Sequence, residues 1–115
     1  MRAIILVGLF VLGLAASATS ASAADVRLFV RHEVNDYAAW RKAYNEFDKT
    51  RRKLGVTAQA VYSLADNPND VTVTHDFKSL DKAKAFITSP ELKTAMEKAG
   101  VKGAPQIWIT TRATK

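Results

Sequence analysis

Hydrophobic residues in this chain recur at every second position in four stretches and at helical spacing in two regions, and their order leaves few folds open. From Val26 to Val34 the side chains alternate. Val26, Leu28, Val30, His32 and Val34 fall on one face, and Arg27, Phe29, Arg31 and Glu33 on the other. A period of two marks a strand. Asn35 or Asp36 then offers a helix N-cap. Tyr37, Trp40, Tyr44, Phe47 and Leu54 recur on one helical face until Gly55, the residue type favoured just past a C-terminus. The segments TAQAVYSL (57–64) and DVTVTHDF (70–77) are rich in strand formers and flank the turn residues ADNPN, so they read as a β-hairpin. Ser79 can cap a short helix through Ile87. Ser89-Pro90-Glu91 restarts a helix that carries Leu92, Ala95, Met96 and Ala99 inward and stops at Gly100. PQIWITTR (105–112) is the last strand.

The order β-α-β-β-α-β predicts the α+β class: a ferredoxin-like βαββαβ antiparallel sheet with its helices on one face. The apolar faces of the central strands should meet those helices, so His32 and His75 are expected to point into the helical layer. Reading the first and third strands as parallel central neighbours places the two imidazoles at matching heights. The opposite face carries Phe29 among Arg27, Arg31 and Glu33, joined by Thr72, Thr74 and Asp76. An aromatic among charges suits a second subunit better than bulk water. Trp108 is open to either side.

Residues 1–23 are read as a signal peptide: a basic start at Arg2, the apolar run AIILVGLFVLGLAA, and the small residues Ala21-Ser22-Ala23 before a cleavage site. The apolar run is short of the about 20 residues that span a bilayer. A periplasmic or secreted protein is therefore expected, with residues 24–115 forming one domain. The chain has no cysteine, so neither disulfides nor lipid attachment at a cleavage-site thiol supports it. Its 17 basic and 11 acidic residues give a net charge of +6, one less without Arg2. The basic residues are scattered apart from KTRRK (49–53), which reads as a solvated helix end whose cations complement the dipole. No interleaving of aromatic and basic residues points to nucleic acid.

The segments VRHEVNDYAAWRKAYNEF, NPNDVTVTHDFKSLDKAKAFITSPELKTAMEKAGV and PQIWIT resemble the dimeric α/β-barrel superfamily, in particular its antibiotic-biosynthesis-monooxygenase-like and cyclase-like proteins. The similarity spans roughly residues 26 to 112. It implies a homodimer whose two sheets face each other, with a pocket between sheet and helices in each subunit. Some members oxidise aromatic polyketides with oxygen and no metal or flavin, others degrade haem, and many have no known activity. In the haem-degrading branch a polar residue on the first strand, a tryptophan on the third and a helix histidine line the site. His32 falls near the first and Phe77 near the second. The helix position falls near Ile87, which cannot ligate iron, so the resemblance does not extend to haem degradation.

Two histidines without a third ligand make an incomplete metal site, because Glu33 and Asp76 alternate onto the opposite face. No metal and no cofactor is expected. A neutral imidazole facing a cavity can instead take a proton from a phenol or enol. His32 is the candidate catalytic residue. His75, Tyr37, Trp40, Tyr44, Phe77 and Phe86 are candidate substrate-binding residues that would supply a mostly apolar wall. The structural alternative is that both histidines are satisfied core residues and the aromatic stripe is simply the buried face of a helix. No nucleophile elbow, glycine-rich phosphate loop or paired-carboxylate motif is present. Three readings remain: a cofactor-independent monooxygenase or cyclase-like enzyme acting on a small aromatic, a non-catalytic binder of a small apolar ligand, or a dimer with a structural or stress role.

Overall fold

A computed structural model describes residues 26–114. The expected signal peptide, residues 1–23, lies outside them. The elements run β1 (Val26–Val34), α1 (Tyr37–Glu46), α2 (Asp48–Lys53), β2 (Ala58–Leu64), β3 (Asn67–Phe77), α3 (Leu80–Ile87), α4 (Pro90–Lys98) and β4 (Val101–Thr111). The four strands form one antiparallel sheet in the order β2-β3-β1-β4. This is the ferredoxin-like α+β arrangement.

Local chemistry sets the helix starts. The Asp36, Ser79 and Ser89 side chains accept from the amides of Ala39, Lys82 and Leu92, which satisfies donors that no helical carbonyl can reach. The expected single first helix is two. The Phe47 amide is shared between the carbonyls of Ala43 and Tyr44, both at 3.2 Å, and α2 begins one residue later. A bond to the third residue back tightens the turn and interrupts the regular ladder.

The central pair is antiparallel, which corrects the parallel reading. β3 returns from β2 through a tight hairpin and inserts between β2 and β1, so it opposes both. His75 therefore lies opposite Leu28, and His32 opposite Val71. The two imidazoles are four residues apart along β1, about 13 Å, rather than level.

Along β4 the register slips beside His32. Arg31 faces Gln106 and Glu33 faces Lys102, so Gly103, Ala104 and Pro105 stand opposite His32 alone. Gly103 adopts φ +66°, a conformation that costs a residue with a Cβ.

The helices cover one sheet face and bury two apolar clusters. One is built on Val26, Leu28, Phe77, Ala83 and Phe86, the other on Val34, Trp40, Tyr44, Val71 and Val73. On the bare face Phe29 and Trp108 stack with centroids 5.2 Å apart, which settles the side on which Trp108 lies. Two bidentate cross-strand pairs flank the stack. Arg27 donates to Asp76 at 2.6 and 3.0 Å, and Arg31 to Asp70 at 3.0 and 2.8 Å.

Candidate functional site

Between the two clusters lies a cavity of about 50 Å³. The sheet supplies its floor through Val30, His32, Val73 and His75, and α4 its roof through Leu92, Ala95, Met96 and Ala99. α1, Phe47 and α2 close the side with Trp40, Ala43, Tyr44, Phe47 and Arg51. Its wall is almost wholly carbon. Of the candidate residues, His32, His75, Trp40 and Tyr44 border this space. The structure places the other three elsewhere. Tyr37 packs on Trp40 at 6.0 Å, and Phe77 and Phe86 meet each other inside the first cluster. Phe86 reaches the site only through His75, edge to face at 5.3 Å.

The two imidazoles differ in their surroundings. His75 is 4 % exposed, and its Nε2 shares a hydrogen bond of 3.0 Å with the Tyr44 hydroxyl. Burial, reinforced by the nearby Arg51 cation, pushes its pKa down to about 3, so it is neutral at any physiological pH. His32 is 7 % exposed and packs against Trp40 at 5.6 Å. Burial lowers its pKa, and the Asp70 carboxylate opposes that shift. Among the described residues, both ring nitrogens of His32 and the Nδ1 of His75 have no hydrogen-bond partner. A buried polar atom left unpaired costs about 1–3 kcal/mol; both rings border the cavity, and their nitrogens expose almost no surface to it. His32 also borders a polar hollow on the far side of the sheet, between Arg31, Asp70, Lys102 and Gln106. The bulge thus sets one imidazole between an apolar interior and a polar exterior.

One residue of this site was misread from the sequence. Arg51 belongs to KTRRK, yet it is 1 % exposed and borders the cavity, while Arg52 stays in solvent beside Asp48. Its guanidinium carbon lies 3.6 Å over the Tyr44 ring. It donates to the Tyr44 carbonyl and, at 2.9 Å, to Gln59 Oε1. Burial draws its pKa below the ordinary value, with Tyr44 and Asp48 pulling the other way, but a guanidinium stays charged. The signal was available. Positions 40, 44, 47, 51 and 54 continue one helical stripe, and the cation stands in the middle of it. Burial raises the Tyr44 phenol to about 12 against the pull of Arg51 and Arg41, so it keeps its proton.

Among the described residues no group of three His, Cys, Asp or Glu side chains is placed to hold a metal ion.

No family model and no curated protein matches the chain in sequence. Solved structures do match its shape. A candidate antibiotic biosynthesis monooxygenase from Bordetella bronchiseptica superposes with a TM-score of 0.67 at 13 % identity, covering 77 % of this chain and 97 % of its own. The fold is that of the antibiotic-biosynthesis-monooxygenase-like proteins. SnoaB, a cofactor-independent oxygenase from Streptomyces nogalater, has the same fold at a TM-score of 0.65, with 12 % identity over 78 % of this chain and 94 % of that one. So does the ActVA-Orf6 monooxygenase of Streptomyces coelicolor in complex with nanaomycin D, at 0.61, with 16 % identity over 81 % and 91 %. At such identities the likeness establishes architecture, and any function must come from the site.

Proposed function

We propose that this protein is an exported homodimer that binds a small aromatic compound between sheet and helices, and that His32 acts there as the base of a cofactor-independent oxygenation. The observation that carries this reading is the pair of buried imidazoles, three of their nitrogens unpartnered among the described residues, that border an otherwise apolar cavity. The likeness to a cofactor-independent oxygenase and to a ligand-bound monooxygenase supports it.

The proton chemistry separates the histidines. With its pKa near 3, His75 holds a proton too weakly to be a useful base and serves as a hydrogen-bond partner. His32 is neutral at pH 7 with both nitrogens uncommitted. In the proposed reaction it takes the hydroxyl proton of a phenol or enol, whose anion places negative charge on the conjugated carbon. That carbon bonds dioxygen, and the peroxide so formed recovers the proton from the imidazolium. Loss of water, with cleavage of the O–O bond and departure of the C–H proton of the same carbon, leaves a carbonyl. One oxygen atom ends in the product and one in water, and the substrate supplies the electrons.

At about 50 Å³ the cavity is well below the about 300–1,000 Å³ of a typical ligand site. Outside it, a groove of about 490 Å³ between α1 and α4 is bounded by three of the same residues, Ala43, Phe47 and Ala95. Parting of this seam would join the two spaces and admit an aromatic ring. The small, carbon-rich cavity favours a second reading, a non-catalytic binder of an apolar ligand. Oxygen consumption with a panel of phenols and quinols decides between them. Turnover lost in a folded His32→Ala protein supports the base; binding without turnover that survives the substitution supports the binder.

Export rests on the sequence of residues 1–23, and the mass of the mature chain from an expressing cell tests it. The dimer is supported by the bare sheet face, where Tyr62 is 59 % and Trp108 43 % exposed.

A further inference from the structure

The charges around the cavity do not balance. Arg51 on α2 borders it as a buried cation. Arg41 on α1 adds a second guanidinium, 5.7 Å from the centre of the Tyr44 ring. From the strands come His32 and His75, and from α1 the Tyr44 hydroxyl, all uncharged at neutral pH. The cavity face of α4 brings only Leu92, Ala95, Met96 and Ala99. The carboxylate beside Arg51 is Asp48, which stands outside the cavity wall at 3.4 Å and already serves Arg52 and Gln59. Asp70 and Asp76 are engaged on the other sheet face by Arg31 and Arg27. A buried positive charge beside an apolar-lined space, with its counter-charge partly in solvent, raises the potential inside that space.

Resting on the reading of the cavity as an aromatic-binding site, we propose that it selects ligands carrying an ionised oxygen, a phenolate or enolate, with Arg51 as the countercharge that holds the ligand in its anionic form. Arg51 then has a function separate from that of His32. His32 receives the hydroxyl proton, Arg51 supplies the countercharge that keeps the resulting anion bound, and a neutral aromatic of the same size is the weaker ligand.

The probes are 4-nitrophenol, whose ionisation is read directly from its visible absorbance, and 4-nitroanisole, its uncharged methyl ether. Binding is followed in the full-length mature protein by quenching of tryptophan fluorescence. The expected result is that bound 4-nitrophenol ionises at least about one pH unit lower than free, a tenfold preference for the anion, and binds more tightly than the ether. Arg51→Gln should abolish the shift, and Arg51→Lys should restore part of it. Asp48→Asn, which removes the outer counter-charge and leaves the buried packing intact, should enlarge the shift. That last variant and the wild type decide the matter if Arg51→Gln does not fold. Equal binding of both probes with unshifted ionisation overturns the proposal and leaves the aromatic site standing. Binding of neither probe removes the site itself and the proposal with it.

Discussion

Replacing His75 with glutamine should flatten the pH dependence of stability, and the size of the change follows from one buried ring. In the folded protein the His75 imidazole titrates near 3, against an ordinary value of 6.5. Below pH 6.5 the unfolded chain therefore binds a proton that the native chain refuses. The unfolded state is favoured, and stability falls as pH falls from 6.5 towards 3. For this residue alone the loss is about 2 kcal/mol between pH 8 and pH 5, and about 4 kcal/mol by pH 3. A domain of this size has only about 5–15 kcal/mol in total, so the first figure is easily measured. His32, lowered for the same reason, adds to the slope with the same sign. Asp48 and Asp70 are held below their ordinary carboxylate values, so the stability they contribute is lost only at still lower pH, outside the pH 8 to 5 window. Glutamine has no titrating group and reaches the position of Nε2, so Tyr44 keeps a partner. Urea unfolding followed by tryptophan fluorescence at pH 8, 6 and 5 gives the comparison. The wild-type loss over that range should exceed that of His75→Gln by about 2 kcal/mol. Identical slopes would mean that the native imidazole takes up its proton without difficulty, and the account of a buried, cationic site around it would be wrong.

Tyr44→Phe removes the 3.0 Å bond to His75 and strands Nε2, so it should cost about 1–3 kcal/mol in urea unfolding; an unchanged midpoint would show that water reaches the ring. Leu28→Ala, fully buried between sheet and α3, should lose about 2–5 kcal/mol by the same assay. Trp108→Glu places a charge on the bare sheet face. Light scattering should report a dimer for the wild type and a monomer for the variant, with the variant's far-ultraviolet circular dichroism unchanged. Gly100 follows α4 at φ +78°, and a Cβ there would stand 3.2 Å from the Asn35 side-chain Nδ2, so Gly100→Ala should cost about 1–2 kcal/mol.

Much of the architecture was legible because alternation and helical spacing are local properties of the chain. The expected faces of β1 and β3, the caps at Asp36, Ser79 and Ser89, and the inward set Leu92, Ala95, Met96 and Ala99 all stand where periodicity puts them. The relation between His32 and His75 did not emerge, because alternation says which side a residue faces and nothing of how far along a neighbouring strand it lies. Antiparallel pairing moved the two rings apart and gave them different partners. The β4 bulge opposite His32 was hidden for the same reason. An extra stretch in one strand is visible only against the strand it pairs with.

The sequence by itself determined the element order, the sides of the sheet and the residues able to carry protons, since each follows from side-chain spacing within one segment. Tertiary structure alone decided their charge states and company. Arg51 reads as one of five polar residues at a helix end until the sheet and α4 close over it. His75 has an ordinary imidazole until burial beside Tyr44 and that cation lowers its pKa. Desolvation and electrostatic coupling depend on distances through space between segments far apart in the chain, and folding sets those distances.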